Sequence, residues 1–505
     1  MGIPFNNVPA NTLVPFGWFE FNSGGTPPTG DSQALLVGQL KSGGAATPGV
    51  PYGPIQSEAD AVKQFGLGSM LVDMYKIARL NAPTAALWAL PLSDPSGVAA
   101  SGSVVFTAPN VAGTAYLAVM GRLVAWQVNA ADTAATITTN AVAAVNALNL
   151  PVIATVDGSN TGKMDLTAAH VGTLGNFIDV ALVTNQPNVL ASANATITAM
   201  SSGTGTPSLT TPLANCGTLP FDWIGSPYSD ATSLGSFQTF LSDQAGRWSS
   251  SEELYGHHTT VNQGNLSTQT TLGAGRNNQH ECIMGVQYFR TPPWEWAAAL
   301  AAAEVVNLAD APGCSLPLQG IVLQGILPPF DRTKWWQISD RQALYTAGIA
   351  AFTVNAAGQV VIDRMVTTYK TNAASSPDAT FLDTETMAQG MFSLRYFRNQ
   401  VATALGRVAI ADDNPFNNPA IVTTNDVRNV LIHAYNDLVA LGVTDDASDF
   451  AQFLQVQRNA QNAARVDAYL PIEFVSGLRI FAGNVTAFLQ YFSPSGSPLA
   501  QLVNP

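Results

Sequence analysis

Charged residues are scarce in this chain. Only 11% of its 505 residues are Asp, Glu, Lys or Arg, whereas about 25% is usual in globular proteins. Hydrophobic residues make up 47%, which is ample for large buried cores. A free monomer of this size normally keeps a more charged surface for solubility. The composition therefore favours a protein that covers much of its surface with further copies of itself.

Basic residues are the scarcer of the two signs. The chain has 21 Lys and Arg against 34 Asp and Glu. A nucleic-acid surface needs clustered Lys and Arg that displace counterions from the phosphates. The sequence therefore argues against a nucleic-acid partner.

Cysteine and long apolar runs are also sparse. Three cysteines, Cys216, Cys282 and Cys314, are an odd number in a long chain, which argues against a disulfide framework and favours folding in a reducing cytoplasm. The most apolar stretch, 297–306, contains Glu304 and is too short to span a bilayer. Residues 1–14 lack a basic n-region and an apolar h-region. We expect no secretory signal and no membrane insertion.

Recognisable catalytic and cofactor motifs fail at defining positions. His280-Glu281 opens like a zinc-protease motif, but Met284 stands where the second histidine ligand belongs. Residues 158–164 are one residue short of a phosphate-binding loop, and Met164 has no hydroxyl for Mg²⁺, so we predict an ordinary loop. The glycines of 66–68 are predicted to separate two helices, and no G-x-S-x-G motif occurs. We predict no catalytic, metal-binding or cofactor-binding residue.

Two groups of polar and aromatic residues remain open to a second interpretation. His257 and His258 would face opposite sides of a strand, and we predict a polar edge rather than a metal site. A Ser-His-Asp triad is defined by geometry, so the sequence alone does not exclude one. Four tryptophans beside prolines are predicted to anchor packing, although a carbohydrate platform is the alternative: Trp294, Trp296, Trp335 and Trp336.

The pattern along the chain predicts a multidomain fold of mixed α/β and α+β class. An apolar strand at 34–37, a helix through 71–78 and a second strand at 84–92 indicate a βαβ unit with a parallel sheet. Short strands and one Ala/Thr-rich helix follow before a Ser/Gly/Thr/Pro-rich linker at 201–212. The predicted units are an N-terminal arm (1–25), a discontinuous α/β core (26–97 and 213–340), an inserted mostly β domain (98–212), a C-terminal domain (341–485) and a C-terminal arm (486–505).

Within the C-terminal domain we predict a helix from Arg341, a hairpin and two long amphipathic helices. The hairpin strands are 350–354 and 359–369, with the turn at Gly358. The first long helix carries Met387 and Leu405, and the second ends at Gly442. Strands at 478–481 and 485–491 are predicted to close the chain.

One segment of this domain carries a resemblance. The run from Arg341 to Gly348-Ile349, followed by Gly358-Gln-Val-Val-Ile-Asp-Arg364-Met-Val-Thr367-Thr368-Tyr369, resembles the signature of contractile phage tail sheath proteins. In that family a helix leads into a hairpin whose second strand reads G-x-V-x-I-x-R-x-V-T-T-Y. The segments 65–71, 88–92 and 113–121 resemble the Mu-like branch. The signature residues are Arg341, Gly348, Gly358, Arg364, Thr367, Thr368 and Tyr369.

The resemblance implies a structural, non-enzymatic subunit without a cofactor. Its copies would form hexameric rings, stacked as a helical sheath around a tail tube protein and joined to baseplate and tail terminator proteins. Assembly in the host cytoplasm would place the protein in the virion, and contraction would drive the tube through the host envelope. The family resemblance also implies arms that add strands to neighbouring subunits; here the candidates are Val14, Phe16, Trp18, Phe19, Phe21, Val485, Phe488 and Tyr491.

Two other classes of function remain at this point. A non-contractile capsid or tail subunit would also polymerise, but would not show two helical states of different length. A secreted carbohydrate-active or proteolytic enzyme would require a signal peptide and a convergent acid/base site. A phage-derived injection particle is compatible with the same sheath architecture.

Overall fold

A computed structural model describes residues 32–485 and residue 487. The predicted N-terminal arm and nearly all of the predicted C-terminal arm lie outside this range. The described part contains eighteen strands: β1 (Gln33–Gln39), β2 (Ala86–Leu92), β3 (Ala99–Phe106), β4 (Gly113–Val119), β5 (Arg122–Val128), β6 (Val152–Val156), β7 (Lys163–Val171), β8 (Val180–Leu182), β9 (Ala195–Ser201), β10 (Trp223–Gly225), β11 (His257–Gln263), β12 (Glu281–Val286), β13 (Ala351–Val354), β14 (Val360–Arg364), β15 (Ala409–Ile410), β16 (Ile421–Val422), β17 (Gln455–Arg458) and β18 (Val466–Tyr469).

The same part of the chain contains eleven α-helices: α1 (Glu58–Phe65), α2 (Met70–Asn81), α3 (Ala134–Ala147), α4 (Thr210–Ala214), α5 (Ala231–Phe240), α6 (Leu266–Ala274), α7 (Pro293–Asn307), α8 (Ile338–Thr346), α9 (Thr384–Leu405), α10 (Thr424–Ala440) and α11 (Ala447–Phe453). None of these helices is long and apolar enough to cross a bilayer.

A five-stranded parallel sheet, in the order β12-β11-β10-β1-β2, organises the first half of the fold. The predicted parallel pairing of β1 with β2 is confirmed. The helices between them begin after serine caps: Ser57 Oγ accepts the Asp60 N–H, and Ser69 Oγ accepts the Val72 N–H. Between the two helices, Gly66 and Gly68 have φ values of 85° and 74°, so the predicted helix break is also confirmed.

The alanine-rich helix α7 lies against this sheet. Its alanines from Ala297 to Ala303 are buried, and the small side chains let the helix approach closely. A Cβ atom on Gly225 of β10 would lie only 2.7 Å from the Ala297 carbonyl oxygen. Three of the four predicted packing tryptophans, Trp294, Trp296 and Trp336, are buried, which confirms their packing role.

Residues 99–201 form two further sheets. A four-stranded antiparallel sheet has the order β6-β7-β3-β9, and a three-stranded antiparallel sheet has the order β5-β4-β8. Helix α3 packs on β5, β6 and β7. Thr133 caps this helix, as its side chain accepts the Thr136 N–H.

The last part of the described chain pairs two long helices, α9 and α10. The antiparallel hairpin β13–β14 precedes them and lies beside β12 of the parallel sheet. There the Gly285 N–H donates to the Ala350 carbonyl, and the Ala350 N–H donates to the Ile283 carbonyl, both at 2.9 Å. Two small sheets flank the helices: β15–β16 is parallel and β17–β18 is antiparallel.

Several sequence predictions are wrong in detail. The second hairpin strand ends at Arg364 rather than Tyr369, because Val366 and Thr367 leave the hairpin to bridge Asp383 and Cys282. The predicted linker 201–212 contains the start of α4, whose Leu213 is buried. The segment 158–164 was predicted as a loop, but strand β7 begins within it, at Lys163.

Two further predictions fail on burial. His257 and His258 do not form a polar edge: both are fully buried in β11, where His258 stacks on Phe237 at 3.7 Å. The predicted strand at 478–481 is not formed, and Leu478 and Phe481 are 82% and 89% exposed. The three cysteines are buried and unpaired.

Candidate functional site

The structure brings the signature residues together around the hairpin β13–β14. Arg341 of α8 forms an ion pair with Asp363 at 2.5 Å, and Tyr345 donates its hydroxyl to the same carboxylate. Arg364, at the end of β14, makes two hydrogen bonds to Asp383, at 2.8 and 3.0 Å. Such a two-pronged pair fixes both position and orientation. The signature arginines therefore clamp the hairpin between α8 and the start of α9.

The threonines of the signature join the hairpin to the parallel sheet. Thr368 is fully buried; its N–H donates to the Glu281 carbonyl at 2.9 Å and its hydroxyl donates to the Asn278 carbonyl at 3.1 Å. The Thr367 hydroxyl donates to the Phe381 carbonyl at 2.6 Å. Tyr369 ends the run by donating to Asp378 at 2.6 Å. These contacts place the signature in the framework of the fold and leave no free catalytic group among these residues.

The two signature glycines have different reasons to be glycine. Gly348 has a φ of 78°, and a Cβ there would lie 3.0 Å from Thr368 Cα. Gly358, at the hairpin turn, has a φ of 77° but open space around its Cα. Gly348 is therefore needed for conformation and for space, and Gly358 for conformation alone.

The clamp extends to residues to which the sequence analysis assigned no role. Arg479 lies in the C-terminal segment, 13% exposed, and contacts Asp383 at 3.5 Å and Glu385 at 2.8 Å. Arg364 and Arg479 thus share one carboxylate. Neither Asp383 nor Arg479 belongs to the signature set, and only the fold shows that they meet.

Beyond Arg479 the apolar side chains of the described chain are exposed to solvent. Ile480, Phe481 and Val485 are 79%, 89% and 90% exposed. Exposed apolar patches are typical of interaction sites. Of the predicted strand-donating residues, Val485 is the one described; Val14, Phe16, Trp18, Phe19, Phe21, Phe488 and Tyr491 lie outside the described residues.

A long apolar groove of about 840 Å³ lies between α9, α10 and the β17–β18 hairpin. We call it the C-terminal groove; its apolar lining includes Phe397, Val401, Leu405, Val427, Leu431, Val466 and Leu470. At its rim Arg458 pairs with Asp412 at 2.8 Å and Arg398 pairs with Glu253 at 2.7 Å. Because β17–β18 has only two strands among the described residues, each strand keeps one unpaired backbone edge. The groove offers a sheet edge beside an apolar floor.

Buried ionisable groups elsewhere are structural. Burial raises the pKa of Glu304 on α7 to about 8, although the Thr259 hydroxyl donates to it at 2.7 Å. Burial lowers the pKa of His257 to about 3, so this imidazole is neutral. Among the described residues no group of His, Cys, Asp and Glu is arranged to hold a metal ion.

One cavity combines histidine, aspartate and serine. His280 Nε2 lies 2.8 Å from Asp243 Oδ1, and His280 stacks on Trp248 with the ring centroids 4.6 Å apart. Ser393 of α9 lines the same cavity, but its hydroxyl makes no hydrogen bond to any described residue, His280 included. The three side chains therefore do not form the hydrogen-bonded triad that activates a serine.

Comparison with known proteins gives a consistent picture. Residues 202–368 match the model of the phage tail sheath protein central domain. Over 492 residues the chain is 30% identical to the Mu-like prophage FluMu tail sheath protein of Haemophilus influenzae, an alignment that covers 95% of this chain and 99% of that protein.

Solved structures with a similar arrangement include two sheath tail proteins. The protein from Desulfitobacterium hafniense is 12% identical with a TM-score of 0.48, covering 92% of this chain and 97% of that one. The protein from Listeria innocua is 15% identical with a TM-score of 0.48, covering 89% and 93%.

Proposed function

The chain belongs to the phage tail sheath protein family, and from this premise we propose that it is the subunit of a contractile sheath. Copies form hexameric rings that stack around a tail tube protein, between baseplate and tail terminator proteins. On release the sheath shortens and drives the tube through the host envelope. The family is structural rather than enzymatic, which agrees with the framework role of the signature residues. The protein is accordingly a component of a virion or phage-like particle.

One observation carries this proposal: the alignment with the Mu-like prophage tail sheath protein spans nearly the whole of both chains. A shared single domain would be compatible with many functions on one fold. An alignment over 95% of this chain also includes the segments on both sides of the conserved centre. The scarcity of charged residues supports the same conclusion, since a polymer buries surface that a monomer must expose to solvent.

The proposed architecture follows the sequence prediction. The parallel sheet takes β1 and β2 from before the 98–212 segment and β10, β11 and β12 from after it. This supports a discontinuous core, 26–97 with 213–340, that carries 98–212 as an inserted outer domain. The 341–485 segment, with the signature clamp and the C-terminal groove, is the proposed sheath domain. The 1–25 and 486–505 segments are the proposed arms.

We further propose that the C-terminal groove receives arms from neighbouring copies. The edges of β17–β18 supply backbone donors and acceptors, and the apolar floor supplies pockets for every second side chain of an added strand. In an extended arm, Phe16 and Trp18 of the run Val14–Phe21 would share one face of the strand, and Phe19 and Phe21 the other. An arm of about 20 residues extended at roughly 3.3 Å per residue reaches roughly 65 Å, far enough to cross to another subunit.

The charges of the N-terminal arm and of the C-terminal groove are complementary, which supports the groove as the binding site of the arm. Glu20 is the one ionisable side chain in residues 1–25, and the groove carries Arg398 and Arg458. Arg398 is 61% exposed in its pair with Glu253, so it remains accessible to a carboxylate from outside. An acidic side chain next to these arginines would fix the register of the arm in the groove.

Electron microscopy of the purified, overexpressed protein tests the proposal. We expect tubes or stacked rings, formed without a template. Coexpression with the tail tube protein should give a longer, thinner form, and the two lengths separate a contractile sheath from a static tail or capsid subunit. A monodisperse monomer at high concentration that ignores added tail tube would contradict the proposal.

A further inference from the structure

Two adjacent histidines are buried in the central sheet without hydrogen-bond partners. His257 and His258 of β11 are both 0% exposed, and none of their four ring nitrogens bonds to any described residue. Buried polar atoms are nearly always paired in folded proteins, because an unpaired one is less favourable than the same atom in water. Contact with water would therefore stabilise both imidazoles, and it would stabilise their charged forms most.

His258 lies beneath helix α5. Its ring is stacked on that of Phe237, with the ring centroids 3.7 Å apart and an angle of 11° between the planes. Successive side chains of a strand point to opposite faces, so His257 faces the other side of the sheet, where its ring centroid is 6.0 Å from that of Trp223. Helix α5 therefore covers His258 and not His257.

A positive charge on His258 would be poorly compensated by its neighbours. The residue opposite it on β12 is Glu281, whose two oxygens accept hydrogen bonds from Arg276 at 2.9 and 2.7 Å. Helix α5 and strand β10 contain no charged residue, and Asp230, which caps α5, is engaged at the helix N-terminus. Burial, together with His257 and Arg276, lowers the pKa of His258 well below its ordinary value.

Helix α5 has open space on one side. A cleft of about 680 Å³ lies between α4, α5 and residues 245–254. On the sheet side Leu234 and Phe237 are buried, and Arg276 donates to the Leu234 carbonyl at 3.4 Å. A proton on His258 would place a charge beneath Phe237 and would repel Arg276. Movement of α5 into the open cleft would bring that charge into contact with water.

We propose that His258 and helix α5 form an acid-operated release, in which uptake of one proton by His258 frees α5 from the sheet and exposes Leu234 and Phe237. The release goes beyond the proposed sheath function and does not depend on it, because every contact that carries it lies within one chain. In neutral solution the helix stays closed, and in acid it opens while the rest of the fold is retained.

The direction of the pH dependence follows from where the proton binds. Above about pH 6.5 neither the closed nor the opened form holds a proton on His258, so closure of α5 is favoured in full. Below that pH the opened form binds the proton and the closed form does not. The equilibrium constant for opening should therefore rise by about tenfold for each pH unit well below pH 6.5.

Amide hydrogen exchange of α5 in the full-length chain, corrected for the intrinsic exchange rates, measures this opening. We expect the opening constant of residues 231–240 to rise about eightfold between pH 6 and pH 5. Helix α10, whose one histidine, His433, is exposed, is the internal control and should show a nearly constant opening constant. Equal pH dependence of α5 and α10 would overturn the proposal, because it would indicate unfolding of the whole subunit.

Three substitutions assign the proton to one residue. His258→Phe keeps an aromatic ring against Phe237 and removes the titrating group, so exchange of α5 should no longer depend on pH between 5 and 6.5. His433→Phe, the same substitution at the exposed histidine of α10, is the matched control and should retain the wild-type pH dependence. His257→Phe should also retain it, since α5 does not cover that ring. An unchanged dependence in His258→Phe would overturn the proposal.

Dye binding by the wild-type chain gives a second readout that needs no substitution. Anilinonaphthalene sulfonate binds exposed apolar surface, so its fluorescence should increase severalfold between pH 6.5 and pH 5 as Leu234 and Phe237 become exposed. Far-UV circular dichroism over the same range should remain nearly unchanged. Dichroism lost in parallel with the rise in fluorescence would overturn a local release in favour of global acid unfolding, and constant fluorescence would overturn any release.

Discussion

Arg479 and Glu385 form a nearly buried ion pair, in which Arg479 Nη2 donates to Glu385 Oε2 at 2.8 Å. The side chains are 13% and 5% exposed. Glu385 Oε1 also accepts the Leu318 N–H at 2.8 Å, so both carboxylate oxygens are engaged. Burial raises the pKa of Glu385, and Arg479 opposes that shift. The pair fixes the point at which the C-terminal segment leaves the body of the subunit.

Replacing Arg479 with Met should lower the free energy of unfolding by about 3 kcal/mol, because it leaves a buried carboxylate without its cation. Chemical denaturation of the free subunit measures this change. The double variant Arg479→Met with Glu385→Leu should recover much of the loss, as it removes the unpaired charge. Arg465→Met, at an exposed ion pair, is the control and should leave the midpoint within error. A loss equal to that of the control would show that the clamp contributes nothing.

The signature glycines provide a matched pair of substitutions. Gly358→Ala should cost about 1 kcal/mol, since only the left-handed backbone conformation opposes it. Gly348→Ala should cost clearly more, because its new methyl group would also press on Thr368 Cα at 3.0 Å. Thermal unfolding of both variants checks the order. Equal losses would mean that the backbone around Thr368 yields without penalty.

Glu304 predicts a pH dependence. Burial raises its pKa to about 8, so the folded chain keeps a proton that the unfolded chain loses near its ordinary pKa. Between those two values the unfolded state binds fewer protons, and stability falls as pH rises. The slope from this group is about 1.4 kcal/mol per pH unit. Glu304→Gln should remove it and leave the variant more stable than wild type at pH 7.5, by denaturant titration.

Measurement between about pH 7 and 8, above the titration of unfolded histidines and not beyond the raised pKa of Glu304, separates this effect from the histidines. Burial lowers the pKa of His257 to about 3, so this group weakens the fold only when the unfolded chain binds protons, below about pH 6.5. Glu58→Gln, on the exposed face of α1, is the matched control and should leave the slope unchanged. A wild-type slope retained in Glu304→Gln would show that another group carries it.

Local sequence signals predicted the fold well wherever short-range contacts decide it. The glycine break between α1 and α2 and the strand–helix–strand order that leads to the parallel pairing of β1 with β2 follow from the local pattern. Helices α9 and α10 follow from their apolar periodicity. Helix α6, with three threonines among its nine residues, and the β17–β18 hairpin, rich in Gln, Asn and Ala, have no such period and were missed.

The failures arise from contacts distant in sequence. His257-His258 reads as polar, yet Trp223 and Phe237 bury the two rings in the central sheet. The end of β14 at Arg364 depends on Cys282 and Asp383, far apart in the chain. The signature residues were predicted as a set, but their clamp requires Arg479, 115 residues after Arg364 in the printed sequence. The roles of Arg341 and Arg364 became definable only with their carboxylate partners in place.

The 98–212 segment should be removable without loss of polymerisation, as expected for an inserted domain. Its flanks lie side by side, since Val98 and Thr204 exchange backbone hydrogen bonds at 3.3 and 3.0 Å. The deletion removes several contacts with the core, among them that of the Met70 N–H with His170 at 3.0 Å. Loss of Arg122, which pairs at 3.1 Å with the fully buried Glu295 of α7, would leave a buried carboxylate without its cation. The deletion should therefore carry Glu295→Gln and a short Gly/Ser linker. Tubes seen by electron microscopy are expected; a folded deletion variant without any polymer would place lattice contacts in the segment.

Truncation of the arms should separate folding from assembly. We expect deletion of residues 1–22, or of residues from 486 onward, to leave thermal unfolding by circular dichroism unchanged, because the parallel sheet and the clamp lie entirely within the remaining chain. Sedimentation should show that long polymers are lost. An unfolded truncation would mean that the arm packs within its own subunit.

The free energy of the contacts that one arm would make explains why a short arm has so large an effect on polymerisation. About five backbone hydrogen bonds at roughly 1 kcal/mol net each contribute roughly 5 kcal/mol per arm. Two or three buried aromatic side chains add about 1.5 to 3 kcal/mol each, and ordering of the arm cancels a good part of the sum. Because every subunit both gives and receives strands, the net free energy of one arm contributes several times in each ring.

Phe16→Ser with Trp18→Ser should therefore weaken polymerisation nearly as much as deletion, whereas Asn6→Ser with Asn7→Ser, the matched control outside the aromatic run, should not. Normal polymers from the aromatic double variant would exclude the arm as the link between subunits.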